Sequence, residues 1–562
     1  MNKNRHRLVF NAARGMLVAV QECATGLGKG RHGAARAMPP VVTSTMVAIR
    51  FGLPAGTLAV LVLAGLPVVS VAQVVANPNA GAAQPSVVQT ANGLQQVNIT
   101  RPTAAGVSVN GYTQFDVPRA GVILNNSPTI TNTQQAGYIN GNPNLLPGGS
   151  ARIIVNEVSS TSASQLRGYV EVAGPGAQVV ISNVNGLYVD GAGFINTTRA
   201  TLTTGVPVYG GSGSLDAFRV TGGQISVAGA GLNAANVDQV DLIARAVQAN
   251  AAIYAGNRLN AITGANQVDA NTLAATPIAG TGPAPALGID VAQLGGMYAN
   301  KIWLASTEKG VGVSLRGIAA AQAGDMTLTA QGKLMLAGQT NASGNLIASA
   351  RDGIDNSGTT YATGGVSVAT NGTLTNSGTL AAQQALAATA GSIASSGTLA
   401  AGVNPDGSTA APADLTLIAT TGALTATGRN QASGNATLQG IGITLAGSQT
   451  SSGGNLSLQA GAGNLDLTGA TTTAGAGLVA NAQGALVNDR GQLSSQGATS
   501  IQAGSLSNQA GQIVSQQAAT LNVGGAINNT QGTVQAGGAL SASGTSLDNT
   551  AGRITSLNAD GL

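Results

Sequence analysis

The residues able to do chemistry in this 562-residue chain are few and far apart. Asp238 and Asp241, three positions apart, are the first pair to weigh, with Asp190 and Glu308. Carboxylates of this kind cleave polysaccharides by acid–base chemistry or hold calcium. General acid–base work needs at least two convergent groups, and acidic residues here are sparse. Asp238 and Asp241 stand in a polar stretch before an apolar segment, so they are expected to be turn and cap residues. Both histidines, His6 and His32, and the only cysteine, Cys23, lie within the first 72 residues. Beyond them the chain has neither residue type, which excludes disulfides, Cys or His nucleophile–base pairs and His/Cys metal sites. Calcium repeats of the Gly-Gly-x-Gly-x-Asp type and phosphate loops are also missing. No catalytic residue, cofactor or metal is therefore assigned. Sugar binding favours exposed aromatic platforms. Tyr361 is the only aromatic after Trp303, so such a site is expected within 97–303. Tyr112, Phe115, Tyr169, Tyr188 and Tyr298 are expected to pack against the core or cover it.

The elements that would position these side chains are strands. The chain has 81 Gly, 8% charged and 2% aromatic residues, with 43% hydrophobic content. There is no Gly-x-y period, so collagen is excluded, and the apolar content argues against disorder. Monotonous Ala, Val, Leu, Thr, Ser, Asn, Gln and Gly suit a β-solenoid, with short strands, small interior residues and tight corners. The positive balance comes from the first 72 residues, which hold eight Lys or Arg and one Glu. The rest has 16 basic and 19 acidic residues, a net charge of −3. Nucleic acid is not an expected partner.

Residues 1–72 read as a targeting leader. A positive n-region precedes the apolar run Thr57–Leu66, and Ser70-Val71-Ala72 forms a small-residue cleavage site before Gln73. The apolar run, interrupted at Pro67, is short for a membrane span. Residues 73–96 form a polar entry segment.

The densest strand pattern lies between Asn142 and Leu187. The turn Asn142-Pro143-Asn144-Leu145-Leu146 opens it and Asn183-Val184-Asn185-Gly186-Leu187 closes it. Strands are predicted over Arg152–Val158, Leu166–Val172 and Gln178–Ile181, each β-branched and bordered by Gly, Pro or Asn. Asn favours such turns because its side chain bonds the local backbone.

This pattern resembles the secretion domain of two-partner-secreted exoproteins, the family of filamentous haemagglutinins and contact-dependent inhibition proteins. That family carries two Asn-Pro-Asn turns. The first stands intact here; in the second, Val184 replaces Pro and Leu187 replaces Ile. The front of the leader, Met1–Asn11 through Val18–Glu22 to Lys29, resembles the extended signal peptide region of large Gram-negative exoproteins, with His6 and Phe10 at positions usually Tyr and Trp. The match continues at Asn98-Ile99, Tyr112, Gly121–Asn126 and Asp241–Val247. It ends in Asp290-Val291, Leu294–Ala299 and Thr307–Val313. The resemblance covers roughly residues 1–317, and a secretion (haemagglutination activity) domain is expected over 97–317.

Beyond Arg316 the texture becomes repetitive. Leu486–Leu493, Leu506–Ile513, Ile527–Val534 and Leu547–Ile554 align on Asn488, Asn508, Asn529 and Asn549. Earlier copies centre on Asn356 and Asn376. A step near 20 residues is one solenoid coil. The apolar residues two before and five after each Asn are expected to point inward, the Asn side chains to ladder between coils, and the Gly to take a positive-φ corner. Residues 318–562 thus read as a β-helical shaft. It ends inside a coil at Leu562 and is expected to be truncated there. At roughly 20 residues per coil, the roughly 490 residues beyond the leader would make a rod on the order of 100 Å.

The resemblance implies an all-β, right-handed parallel β-helix behind an N-terminal targeting leader. It also implies a secreted protein, extracellular or on the outer cell surface. Export would use the general secretion machinery of the inner membrane. An outer-membrane β-barrel partner transporter would follow, its periplasmic domains binding the secretion domain in unfolded or extended form. Asn142, Pro143, Asn144, Leu145, Asn183, Asn185, Gly186 and Leu187 are the expected recognition residues, and Ala72–Gln73 the cleavage site. A lack of Cys suits threading, since a periplasmic disulfide would block it. The chain is therefore read as a non-enzymatic adhesin with a host or bacterial surface receptor; the alternative is the truncated shaft of a contact-dependent toxin-delivery protein, and a β-helix polysaccharide-degrading enzyme comes last.

Overall fold

The computed structural model describes residues 6–11, 16–21 and 73–558. The leader 1–72, Ala72 included, otherwise lies outside the described residues. Its two strands, His6–Asn11 and Met16–Gln21, pair antiparallel.

From Gln73 on, the chain winds as a β-solenoid of about 19 turns. Stacked at the interstrand distance, these make a rod of roughly 90 Å. A coil has three faces. One coil runs through Met326–Ala330, Leu334–Leu336 and Gln339–Ala342, and the next through Leu346–Ala350, Ile354–Asn356 and Thr359–Ala362. Each strand pairs in parallel with its counterpart one coil on. Alternation decides which side chains enter: Val366 and Val368 are buried while Ser367 and Ala369 are exposed. Stacking places Leu334, Ile354, Leu374 and Ile393 in one interior column. No coil could bury this face alone.

In the terminal repeats the Asn ladder forms. Asn488 Nδ2 donates to Asn508 Oδ1 at 2.7 Å, Asn508 to Asn529 at 2.7 Å, and Asn529 to Asn549 at 2.6 Å. The coil before Asn488 offers Leu467 at this place, and Asn488 Oδ1 has no hydrogen-bond partner among the described residues. The corner differs from expectation. Positive φ falls on the residue before each Gly, at Arg490, Ala510, Gln531 and Ala551. Glycine is needed for space instead: a Cβ on Gly511 or Gly532 would sit 2.1 Å from the Asn carbonyl of the preceding coil. Leu486, Leu493, Leu506, Ile513, Ile527 and Val534 point inward as expected. Leu547 is 55% exposed, since no described coil stacks on it, and Ile554 is half-buried.

The predicted strand Leu166–Val172 is two strands, Ser164–Leu166 and Tyr169–Ala173, on different faces. The chain turns at Gly168, where a Cβ would lie 2.1 Å from the Pro118 carbonyl.

Three additions dress the first half. The entry segment is an N-terminal cap: Val74–Ala76 runs antiparallel to Val107–Phe115, and Ser86–Gln89 to Gln95–Asn98. They cover an otherwise open sheet edge. A hairpin, Thr131–Thr133 with Gly137–Ile139, projects from the coil after Asn125. A four-stranded antiparallel sheet, Val206–Tyr209, Leu215–Val220, Asn266–Asp269 and Ala275–Pro277, covers the first face. Its Phe218, Val220 and Val268 pack on the outward residues Val155, Val180, Ile243 and Ile262. That cover explains why Val179-Val180-Ile181 and Leu242-Ile243 are apolar without alternation: both sides are buried.

Candidate functional site

Both Asn turns are built alike. Asn142 Oδ1 accepts the Asn144 N–H at 2.9 Å, closing a local turn. Its Nδ2 donates to the Ile99 carbonyl at 2.9 Å and the Asn125 carbonyl at 2.8 Å. Asn144 Nδ2 reaches the Ile99 carbonyl at 3.1 Å. In the second turn Asn183 Oδ1 accepts the Asn185 N–H at 2.9 Å, and Asn183 Nδ2 donates to the Ser162 carbonyl at 2.9 Å and Ser164 Oγ at 3.0 Å. Asn185 Nδ2 donates to the Ser160 carbonyl at 2.6 Å. Gly186 takes φ 110, and a Cβ there would lie 2.8 Å from the Gln224 carbonyl. Val184 does not prevent the turn, because the Asn amides rather than proline close it.

Each turn therefore staples one stretch of backbone to another. Asn142 is 1% exposed and Asn183 is 0%. Leu145, Gly186 and Leu187 are also buried; Pro143, Leu146, Val184 and Asn185 face solvent. The two turns occupy different places. The second links the first-face strand Ala177–Asn183 to the second-face strand Leu187–Val189. The first ends the excursion that begins with the hairpin.

Neighbouring polar groups complete the stapling. Asn126 Nδ2 donates to the carbonyls of Ala151 and Pro175, each at 2.9 Å. Glu171, 3% exposed, accepts the N–H groups of Gln134 at 2.6 Å and Gln135 at 2.9 Å and so holds the hairpin. Sequence reading placed Glu171 on a strand without a role; an acid inside an apolar strand was the available signal. Glu157 accepts from the Tyr209 hydroxyl under the covering sheet. Burial raises both groups above their ordinary values, against the lowering effect of that bond on Glu157.

The candidate acids do not converge. Asp241 lies inside the strand Gln239–Ala244, fully buried, and is neither turn nor cap. It pairs with Arg199 Nε at 2.5 Å and accepts from Asn260 Nδ2 at 2.8 Å, a paired carboxylate beneath the covering sheet. Asp238 is exposed, and its carbonyl receives the N–H groups of Asn257 and Arg258. Asp190 caps a turn through the Ala230 N–H. Glu308 accepts both Nε and Nη2 of Arg245, at 3.1 and 2.8 Å, and this fork holds its carboxyl below the usual range. Arg245 also donates to the Thr281 carbonyl at 2.6 Å. Of these acids, Asp190 and Glu308 accept backbone N–H groups, of Ala230 and Ala265, while Asp241 is committed to side chains alone.

The aromatics divide. Tyr112 and Phe115 are fully buried, edge to face at 4.9 Å, with the Tyr112 hydroxyl on Asn156 Oδ1. Tyr169 instead lies outside at 37% exposure, and Tyr298 stacks on Tyr254 at 5.0 Å on the outer third face. Tyr254, Tyr298, Ala320, Asn341, Tyr361, Ala381, Ala400 and Gln431 are successive members of one outward row along that face.

Residues 72–336 match the family described as TPS secretion domain, and residues 1–48 match the Extended Signal Peptide of Type V secretion system. Over 498 residues the chain is 53% identical to the tRNA nuclease CdiA-2 of Burkholderia pseudomallei strain 1026b, covering 88% of this chain and 16% of that protein. It is 42% identical over 510 residues to Toxin CdiA of Yersinia pestis, covering 88% and 15%. Among solved structures, the filamentous hemagglutinin secretion domain aligns with 51% of this chain and 95% of its own, at 31% identity and a TM-score of 0.44. The chain spans about one sixth of the length of these two curated relatives.

Proposed function

The chain belongs to the two-partner secretion exoproteins of the filamentous haemagglutinin and contact-dependent inhibition family, and from that premise we propose that it is a secreted adhesin whose two Asn turns are read by its transporter before they fold. Export to the cell surface or medium is the property of the family itself. The proposed divisions are a leader at 1–72, cleaved between Ala72 and Gln73, an entry segment at 73–96, a secretion domain at 97–317 and a shaft at 318–562. The partners are the inner-membrane secretion machinery, an outer-membrane β-barrel transporter with periplasmic binding domains, and a surface receptor.

One observation carries the reading of the turns. Asn142 and Asn183 are sealed inside the folded chain, so a transporter can use their side chains only while the chain is extended. Recognition and folding then compete for the same amides. Release outside the cell lets Asn142, Pro143, Asn144 and Leu145 close on Ile99, and Asn183, Asn185, Gly186 and Leu187 close the next corner. Coil stacking then drives the shaft outward.

The test is secretion of Asn144→Ala. We expect secretion to fall while the purified protein still refolds; normal secretion counts against recognition. N-terminal sequencing and intact mass of the supernatant protein, with and without the transporter, check the route. A transporter-dependent product starting at Gln73 is expected. Secretion without the transporter overturns it.

Toxin delivery is the second reading, favoured by the 53% identity to a protein named as a tRNA nuclease. Cell binding by the purified chain supports adhesion; a toxic segment encoded downstream in the same gene supports delivery.

A further inference from the structure

The shaft is regular except at one coil. Between Met326 and Leu540 the first-face strands recur every 20 to 22 residues, save for the step from Leu386 to Leu415, which is 29. The extra residues follow the third-face strand Thr398–Ala401 and fold back over the sheet, with Val403 bridging Thr409. They are held in place. Asn404 donates its N–H to the Ser408 carbonyl at 2.8 Å and receives Gln383 Nε2 at 3.0 Å. Asp406 Oδ1 accepts the Ser408 N–H and hydroxyl at 2.9 and 2.6 Å.

The insertion sits beside Tyr361, the only aromatic after Trp303. The Tyr361 hydroxyl donates to the Val403 carbonyl at 3.1 Å. Val403, Ala381 and Ala400 make a small apolar cluster against the ring, outside the main core. Ala381 and Ala400 are outward-facing, yet only 4% and 3% exposed, because the loop shelters them. Between loop and sheet lies a groove of about 490 Å³. Its floor is this apolar strip, flanked by Thr379 and Thr398. Asp406 stands on the loop side, with Arg429 and Gln431 on the sheet side. Arg429 makes no ion pair among the described residues and donates to Gln431 Oε1 at 2.6 Å.

We propose that this groove binds a pyranose unit of a neutral oligosaccharide. The partly exposed Tyr361 ring, backed by the sheltered apolar strip, suits the C–H face of a sugar, and the rim supplies acceptors and donors for its hydroxyls. Asp406 accepts, Arg429 donates, and Thr379, Thr398 and Gln431 do either. One acid and one base cancel, so the groove carries no net charge to select an anion. Its size is that of a small-ligand site. A second groove beside Gln459, Asn481 and Gln502, of about 590 Å³, is larger but has neither an aromatic nor a charged residue, and it serves as the internal control. The position lies in the shaft, outside the range 97–303 to which aromatic counting alone confined such a site. The proposal deepens the adhesin reading and rests on it.

The experiment is a glycan array with the protein from culture supernatant, followed by calorimetric titration of the neutral oligosaccharide that binds best. Arg429→Ala and Asp406→Ala, both exposed, should each weaken binding by about tenfold or more, as removal of a charged hydrogen bond does. Tyr361→Ala should abolish it, and Gln502→Ala should leave it unchanged. Circular dichroism and melting confirm that the variants keep the solenoid. No bound glycan, binding of acidic glycans only, or binding unmoved by Arg429→Ala and Asp406→Ala each overturns the proposal. Cell adherence by a protein that binds no neutral glycan overturns the groove and leaves the adhesin standing. Glycan binding without cell adherence keeps the groove and sinks the adhesin.

Discussion

The secretion domain and the shaft are made of the same coil and hold together differently. In the shaft, a side chain meets its own kind along runs of coils: Asn488 on Asn508 on Asn529, Ile354 on Leu374. In the secretion domain the buried polar groups have specific, non-repeating partners in distant segments. Asn142 holds Ile99 and Asn125, Glu171 holds the hairpin, Arg199 holds Asp241, and Glu308 holds Arg245. Large aromatics fill its interior, while Leu and Ala fill the shaft. A repeat with equivalent neighbours loses stability locally, one interface at a time. A structure closed by non-equivalent staples fails as a unit.

The sharpest way to break this comparison is to remove one coil from each region. Deleting residues 239–257 brings Arg258 to the place of Gln239, by the register of those two strands. It removes Asp241 and Arg245, stranding Arg199 and Glu308. We expect no folded secretion domain by circular dichroism. Next in size is Asn142→Ala, which strips the Asn125 carbonyl and the Asn144 N–H of their side-chain partner, leaves the Ile99 carbonyl to Asn144 alone, and should cost about 3 kcal/mol in urea unfolding. Asn508→Ala, at an interior rung of the ladder, should cost about 1–2 kcal/mol and open only neighbouring coils in amide exchange. Equal and equally global losses would erase the distinction.

Acid should separate the regions more gently. The folded Glu308 carboxyl lies below its unfolded value, first through the Arg245 hydrogen bonds. Its contribution is therefore present above the unfolded pKa and lost as pH falls through the folded one. The Ala265 amide, which donates to Glu308 Oε2 at 3.3 Å, should lose protection over that acidic range. The Asn508 amide should not, and Glu308→Gln should remove the pH dependence. The smallest effect is expected for deletion of residues 499–518, which sets Ala519 where Thr499 paired. Its melting temperature and secretion should stay near those of the parent; collapse of the shaft would show that coils are not interchangeable.

Legibility followed the same division. The shaft could be read because its period is carried by neighbouring residues: Leu486, Asn488, Gly491 and Leu493 recur with their spacing intact. Even there the reason for Gly511 was misplaced, since a clash with the coil before it is not visible in local φ preferences. In the secretion domain the two turns were readable, because Asn142 and Asn183 bond residues two positions on. Their second set of bonds, to Ile99 and Ser162, joins segments 43 and 21 residues away, and nothing local marks such partners. Asp241 was misread as a turn or cap residue for the same cause: Arg199 lies 42 positions earlier.

What the sequence determined alone is the coil, through its alternation and its 20-residue step, and the absence of Cys and His beyond the leader. These follow from backbone geometry and nearest-neighbour stacking, which a short window contains. Tertiary structure decided what covers the coil and where it is interrupted. The cap over the first edge, the sheet over Val155 and Ile243, and the loop that shelters Ala381 and Ala400 beside Tyr361 all depend on distant segments meeting. Their apolar and polar groups are complementary only once the solenoid has brought them side by side.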